Sequence, residues 1–147
     1  IPNTIKRCLK GESPVLFKDI VYVREFTYFE DAVRAFIDLG LTMMGGGFTG
    51  YPVNGEAFNV GSGESKEQKE VVYEVLKSFP DIKPELKEPE PYARIEIPYQ
   101  TLDHSKLSKT LGWESWVSFS VGIKRTIDWW REHPELFALE SRRNVGI

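Results

Sequence analysis

Apolar and polar positions change period several times along this chain, and each change marks an element. Residues 3–10 carry Ile5, Cys8 and Leu9 on one helical face, with Gly11 as the stop. A short apolar run at 14–17 reads as a strand. Residues 20–28 alternate, with Tyr22, Arg24, Phe26 and Tyr28 on one side and Val21, Val23, Glu25 and Thr27 on the other. The period then lengthens. Phe29, Ala32, Val33, Phe36 and Ile37 recur at helical spacing and predict a buried stripe, in a helix that runs out near Met43 and Met44.

Residues 45–54 are glycine-rich and aperiodic, which predicts a loop, and 56–60 read as a strand. Ser65 with Gln68 has the pattern of a capping box, opening a helix that buries Val71, Val72, Val75, Leu76 and Phe79. Four prolines among acids and lysines make 80–91 an extended connector, and 93–98 a strand after it. Asp103 is placed to cap a short helix ending at Gly112, where a left-handed turn lets Trp113 fold back. A last helix over 120–132 buries Ile123, Ile127 and Trp130, and 138–147 read as a tail. Short strands interleave with helices, without enough β-α-β units for a complete doubly wound sheet. The pattern predicts a small mixed α/β domain with apolar faces left to meet another domain.

Composition narrows the class. A chain of 147 residues, 41% hydrophobic and 28% charged, suits one globular domain with a modest core. Its net charge of −3, with no basic stripe, argues against nucleic acid as a partner. No apolar run reaches membrane-spanning length and the first residues form no signal peptide. Cys8 is the single cysteine, so no internal disulfide is expected, which fits a reducing cytoplasm. Two histidines and one cysteine make no metal-ligand pattern. The chain starts at Ile1 without an initiator Met, as a processed protein or a fragment would.

Arg24 leads the candidate chemistry. A guanidinium on the aromatic side of a strand is costly unless it meets an anion, and its planar fork suits a diphosphate. A salt bridge to Glu30, Asp31 or another acid would serve the same end. Asn59, ahead of Gly61-Ser62-Gly63, could orient a ligand or simply form a turn. That glycine segment lacks the Gly-Lys-Ser/Thr ending of a P-loop and the three-glycine spacing of a dinucleotide fingerprint. Asp103 and Lys106 read as a helix cap and a solvated first-turn residue. Trp113, Trp129 and Trp130 read as core or domain contacts, and Trp116 lies near the surface.

Three segments occur in a fixed order. They are Val23-Arg24-Glu25-Phe26-Thr27-Tyr28-Phe29-Glu30-Asp31, then Gly55-Glu56-Ala57-Phe58-Asn59-Val60-Gly61, then Leu102-Asp103-His104-Ser105-Lys106 with Leu111-Gly112-Trp113. With the closing Gly122-Ile123-Lys124-Arg125-Thr126-Ile127-Asp128-Trp129, they resemble the C-terminal part of the NAD-dependent sugar-nucleotide dehydratases and epimerases, the extended short-chain dehydrogenases. Glu96-Ile97-Pro98-Tyr99-Gln100-Thr101-Leu102-Asp103 looks most like the CDP-glucose 4,6-dehydratase branch, with the dTDP-glucose branch next. Lys18-Asp19-Ile20-Val21 departs from that family's usual Gly-Asp-Gly turn, and base preference is open there.

The resemblance implies a sugar-nucleotide-binding domain over 1–137 that lacks most or all of the Rossmann sheet. It implies an N-terminal NAD-binding domain absent from this chain, no catalytic residue within it, and self-association or homo-oligomers of the exposed remainder. Arg24 matches the arginine that contacts the diphosphate, and Asn59 the amide beside the nucleotide. Arg94 matches, on a loose alignment, a second phosphate or ribose contact, with a surface arginine as the alternative, and Tyr99 and Gln100 fall in the same stretch, where they could face base or sugar. Tyr73 and Lys77 mimic the family's catalytic Tyr-x-x-x-Lys spacing but come too late in the chain. The expected function is the substrate-gripping part of a 4,6-dehydratase, inactive alone. A 4-epimerase fragment and a stand-alone binding module are the alternatives.

Overall fold

The computed structural model describes residues 1–45, 53–89 and 97–136, which form a mixed α/β chain of two compact units. The first unit comprises Ile1–Val21, Gln68–Ile95 and Ser120–Ile147, the second Tyr22–Glu67 and Glu96–Phe119.

In the first unit, α1 spans Pro2–Leu9, with Pro2 at the helix start, where its missing N–H costs nothing. Ile5 and Cys8 are buried as the period predicts, and Lys6 lays its ammonium 4.6 Å from the centroid of the Trp130 ring. The strand β1, Val15–Phe17, pairs in parallel with β4, Glu85–Lys87. The proline-rich connector therefore supplies a strand: Pro84 precedes it, and the amide of Glu85 donates to Pro14 O at 2.8 Å. Helix α3, Gln68–Leu76, buries Val71, Val72, Val75 and Leu76. It starts two residues later than a cap at Ser65 would place it, because Ser65 is taken up by a strand of the second unit. Helix α5, Phe119–Glu132, buries Ile123 and Ile127.

In the second unit a three-stranded sheet has the order β3-β2-β5, with β2 at Val23–Glu25, β3 at Ser65–Glu67 and β5 at Tyr99–Gln100. The strand expected over 20–28 is short because its partners are only three and two residues long. The 56–60 strand does not form. That segment is held instead by side chains, Lys106 donating to Ala57 O at 2.8 Å and Asn59 Nδ2 to Asp103 O at 3.1 Å. The strand expected over 93–98 lies mostly outside the described residues, as do most of the 45–54 loop and the 138–147 tail.

The helix α2, Phe29–Met43, forms where expected but buries the other face. Phe29, Val33, Phe36 and Ile37 are exposed, Phe36 at 73%. Asp31 and Ala35 are buried, Asp31 at 2%. Ala35 joins Leu107 and Trp113 in a core lined by Leu39, Phe58, Val60 and Leu111. Helix α4, Ser105–Leu111, ends as predicted at Gly112 in the left-handed region, φ 66°, and Trp113 turns back to 2% exposure.

Candidate functional site

The ladder around β2 fixes which residues share a face. Arg24 pairs with Lys66 across the antiparallel ladder to β3 and with Gln100 across the parallel ladder to β5. Partners in register lie on one face, so Lys66, Arg24 and Gln100 form a row across the sheet. The period of two puts Tyr99, opposite Val23, on the reverse face.

Arg24 is half-buried and folded against its own strand. Its Nη1 donates to Val23 O at 2.8 Å, and the guanidinium lies 5.5 Å from the centroid of the Tyr22 ring. Lys66 stands 5.7 Å from the centroid of the Phe119 ring and 3.7 Å from Glu64 Oε2. Phe26 packs on the same Phe119 ring, centroids 5.4 Å apart, giving the row an aromatic floor.

The reverse face belongs to Glu25. Its two carboxylate oxygens accept from the amides of Gly63 and Leu102, each at 2.8 Å, tying the glycine turn and the β5 segment to β2. Ser62 Oγ donates to Phe26 O at 2.8 Å and accepts from the Glu64 amide. Gly61-Ser62-Gly63 thus runs into a strand, not into a helix N-terminus that could hold a pyrophosphate.

Of the sequence-derived candidates, Arg24 and Gln100 come together and Tyr99 is set apart. Asn59 is exposed; its Nδ2 donates to Asp103 O, and its Oδ1 is an acceptor. Arg94 lies outside the described residues. Lys106 is exposed, as expected, and pairs with Glu56 at 2.7 Å over the Phe58 ring. That ammonium holds the Glu56 carboxyl below its ordinary range. Asp103 Oδ1 accepts from the Ser105 amide at 2.9 Å, one residue ahead of the helix cap at His104, and this bond lowers its pKa. Tyr73 is exposed and Lys77 bonds Glu74.

Sequence reasoning missed Asp31 and Lys66. Asp31 accepts from Ser115 Oγ at 2.7 Å, from the amides of Trp116 and Val117, and from Arg34 at 3.1 Å. Burial pushes its pKa up, but the hydrogen bonds from Ser115, Val117, Trp116 and Arg34 prevail and hold it below the ordinary value. Arg34 in turn lies 3.7 Å from the centroid of the Trp116 ring and donates to Glu114 O. The signal was the spacing of Asp31, Arg34, Ala35 and Asp38, a second helical stripe that is polar apart from Ala35.

Among the described residues no cluster of histidine, cysteine or carboxylate groups could hold a metal ion, and no helix is long and apolar enough to cross a membrane.

No family model matches the chain. A UDP-N-acetyl-alpha-D-glucosaminuronate decarboxylase of Bacillus cytotoxicus is 31% identical over 136 residues, 90% of this chain and 40% of that protein. A dTDP-glucose 4,6-dehydratase of Escherichia coli is 26% identical over 140 residues, 88% of this chain and 35% of that one. Among solved structures, the UDP-glucose 4-epimerase of Thermotoga maritima with UDP-glucose superposes at TM-score 0.65 and 30% identity, over 88% of this chain and 38% of that chain. The chain is similar to part of the sugar-nucleotide epimerases and dehydratases. The Bordetella bronchiseptica enzyme WbmG, solved with NAD and UDP, matches at TM-score 0.66 and 27% identity, over 90% of this chain and 38% of that chain. This chain spans about two-fifths of the length of these relatives.

Proposed function

We propose that the chain is the sugar-nucleotide-binding portion of an NAD-dependent nucleotide-sugar 4,6-dehydratase acting on dTDP- or CDP-linked glucose. The observation that carries this reading is Arg24 at the middle of a three-stranded sheet with Gln100 beside it, in a chain similar to dTDP-glucose 4,6-dehydratases. The guanidinium would swing from Val23 O to grip both phosphates, and Gln100 would bond the ribose or sugar. Asn59 would accept from the nucleotide through Oδ1. Arg94 keeps its expected role as a second phosphate contact on the sequence resemblance alone.

NAD does not fit the residues described, because no strand here opens through a three-glycine turn into a helix. It would be held by a Rossmann portion corresponding to the length of the relatives that this chain does not span. The exposed apolar face of α2 supports such a partner, since large contiguous apolar patches mark interaction surfaces. Catalysis would require that partner, and the chain alone would be inactive.

Calorimetric titration of the chain with dTDP, CDP and UDP tests the reading. Binding of one of them, weakened about tenfold or more in Arg24→Met, is expected. No binding of any, or turnover of a sugar nucleotide with NAD by this chain alone, would contradict it. The similarity to a UDP-glucose 4-epimerase favours a second reading, a 4-epimerase portion. Product analysis of the longer enzyme separates the two, water being lost from the sugar only by a dehydratase.

A further inference from the structure

We propose that Lys66 and Arg24 together form a two-cation row that holds a diphosphate, with Lys66 a phosphate contact in its own right. The proposal rests on the sugar-nucleotide reading for the identity of the ligand, but the anion-binding row itself does not.

The geometry is that of an antiparallel ladder. Arg24 and Lys66 are direct cross-strand partners, with Cα atoms about 5 Å apart. Like charges placed opposite one another in a sheet repel. A bound polyanion removes that repulsion. Lys66 is also pre-positioned: its side chain is 29% exposed, with its ammonium 5.7 Å from the centroid of the buried Phe119 ring. The aliphatic stem is therefore covered while the ammonium can still meet a ligand. Arg24 offers a planar fork to one phosphate and Lys66 a compact charge to the next.

Glu64 is the internal competitor. Its Oε2 lies 3.7 Å from the Lys66 ammonium and 3.4 Å from the Phe119 amide, which donates to it. In the absence of ligand this carboxylate offsets part of the positive charge. A diphosphate would displace it from Lys66 while the Phe119 amide continues to hold it. Removing the Glu64 charge should therefore strengthen anion binding, and should do so less in Lys66→Met than in wild type if Lys66 is the cation that it masks.

The test titrates the full chain with inorganic pyrophosphate and with UDP at low salt, where screening is least. Lys66→Met keeps the stem over Phe119 and removes the charge. It is expected to weaken pyrophosphate about tenfold, while Lys66→Arg stays within about threefold of wild type and Glu64→Gln binds more tightly than wild type. Equal pyrophosphate affinity in wild type and Lys66→Met, or none in wild type, overturns the row. Should Lys66→Met not fold, Lys66→Gln carries the same comparison. UDP bound no more tightly than pyrophosphate, with Lys66→Met still weakened, leaves the row standing and removes the sugar-nucleotide reading. UDP bound tightly but indifferent to Lys66→Met does the reverse.

Discussion

Gly61 and Glu25 compete for one space: a Cβ on Gly61 would stand 2.3 Å from Glu25 Oε1. A glutamate tip could ordinarily swing aside. Here both of its oxygens are held, by the amides of Gly63 and Leu102. Any side chain at 61 would break at least one of those bonds, and with it the tie between the glycine turn, β2 and β5. Gly61→Ala should therefore destabilise the chain by about 1–2 kcal/mol, read from urea unfolding. Glu25→Gln should cost a similar amount, and the double variant clearly less than the sum, because both changes remove the same bonds. Additive losses would mean that the two residues act separately.

Asp31 makes stability depend on acid. Its folded pKa lies below the ordinary carboxylate value of 3.8, so the unfolded chain takes up the proton first as pH falls. The contribution of Asp31 is complete above that value and is lost as pH drops through the lower folded pKa. Asp31→Asn should lower stability at pH 7 and flatten the fall below pH about 4, measured as unfolding free energy against pH. Asp31→Ala should cost about 3 kcal/mol or more at neutral pH, because Arg34, Ser115 and the two amides lose their acceptor together. A pH profile parallel to wild type in Asp31→Asn would assign the acid sensitivity elsewhere.

The same residue explains what could be read from the sequence. Helix α2 was legible as a helix, since its apolar period is unmistakable, yet the period could not say which face turns inward. Two stripes compete in it: Phe29, Val33, Phe36 and Ile37 against Asp31, Arg34 and Ala35. Burial went to the stripe with tertiary partners, the 115–117 turn and Trp113, and those partners lie some 80 residues away in sequence. The Gly112 stop and the buried Trp113 were legible because a local turn dictates them. Arg24 was a candidate from alternation together with the family resemblance, alternation alone favouring a salt bridge. Lys66 was not, because its meaning comes from register with Arg24, and register between distant strands has no local signature.

Register also separates two neighbours in the candidate site. Gln100 stands beside Arg24, whereas Tyr99 stands beside Val23 on the face of the Glu25 carboxylate. If the nucleotide lies along the Arg24 face, Gln100→Ala should weaken nucleoside diphosphate binding about three- to tenfold, the loss of one hydrogen bond. Tyr99→Ala, at an exposed position, should leave it within about twofold. Titration calorimetry on both variants checks this, and a larger loss in Tyr99→Ala would place the ligand on the opposite face.

The exposed stripe of α2 should govern how the chain behaves in solution. Phe29, Val33, Phe36, Ile37 and Met44 are each more than half exposed, on one unit of a small protein. Single exposed apolar residues are ordinary, but a contiguous row along a helix face is a surface that water disfavours. In the proposed reading, a Rossmann portion would cover this row. Without it, copies of the chain should cover one another. Sedimentation at rising concentration should show reversible self-association, and replacing Phe36 and Ile37 together with Ser should shift the chain to monomer. Because both side chains already face water, the melting temperature at low concentration should change by no more than a few degrees. A wild-type chain that stays monomeric at high concentration would count against the row as a docking surface. Loss of folding in the double variant would show instead that the row contributes to the core of its own unit.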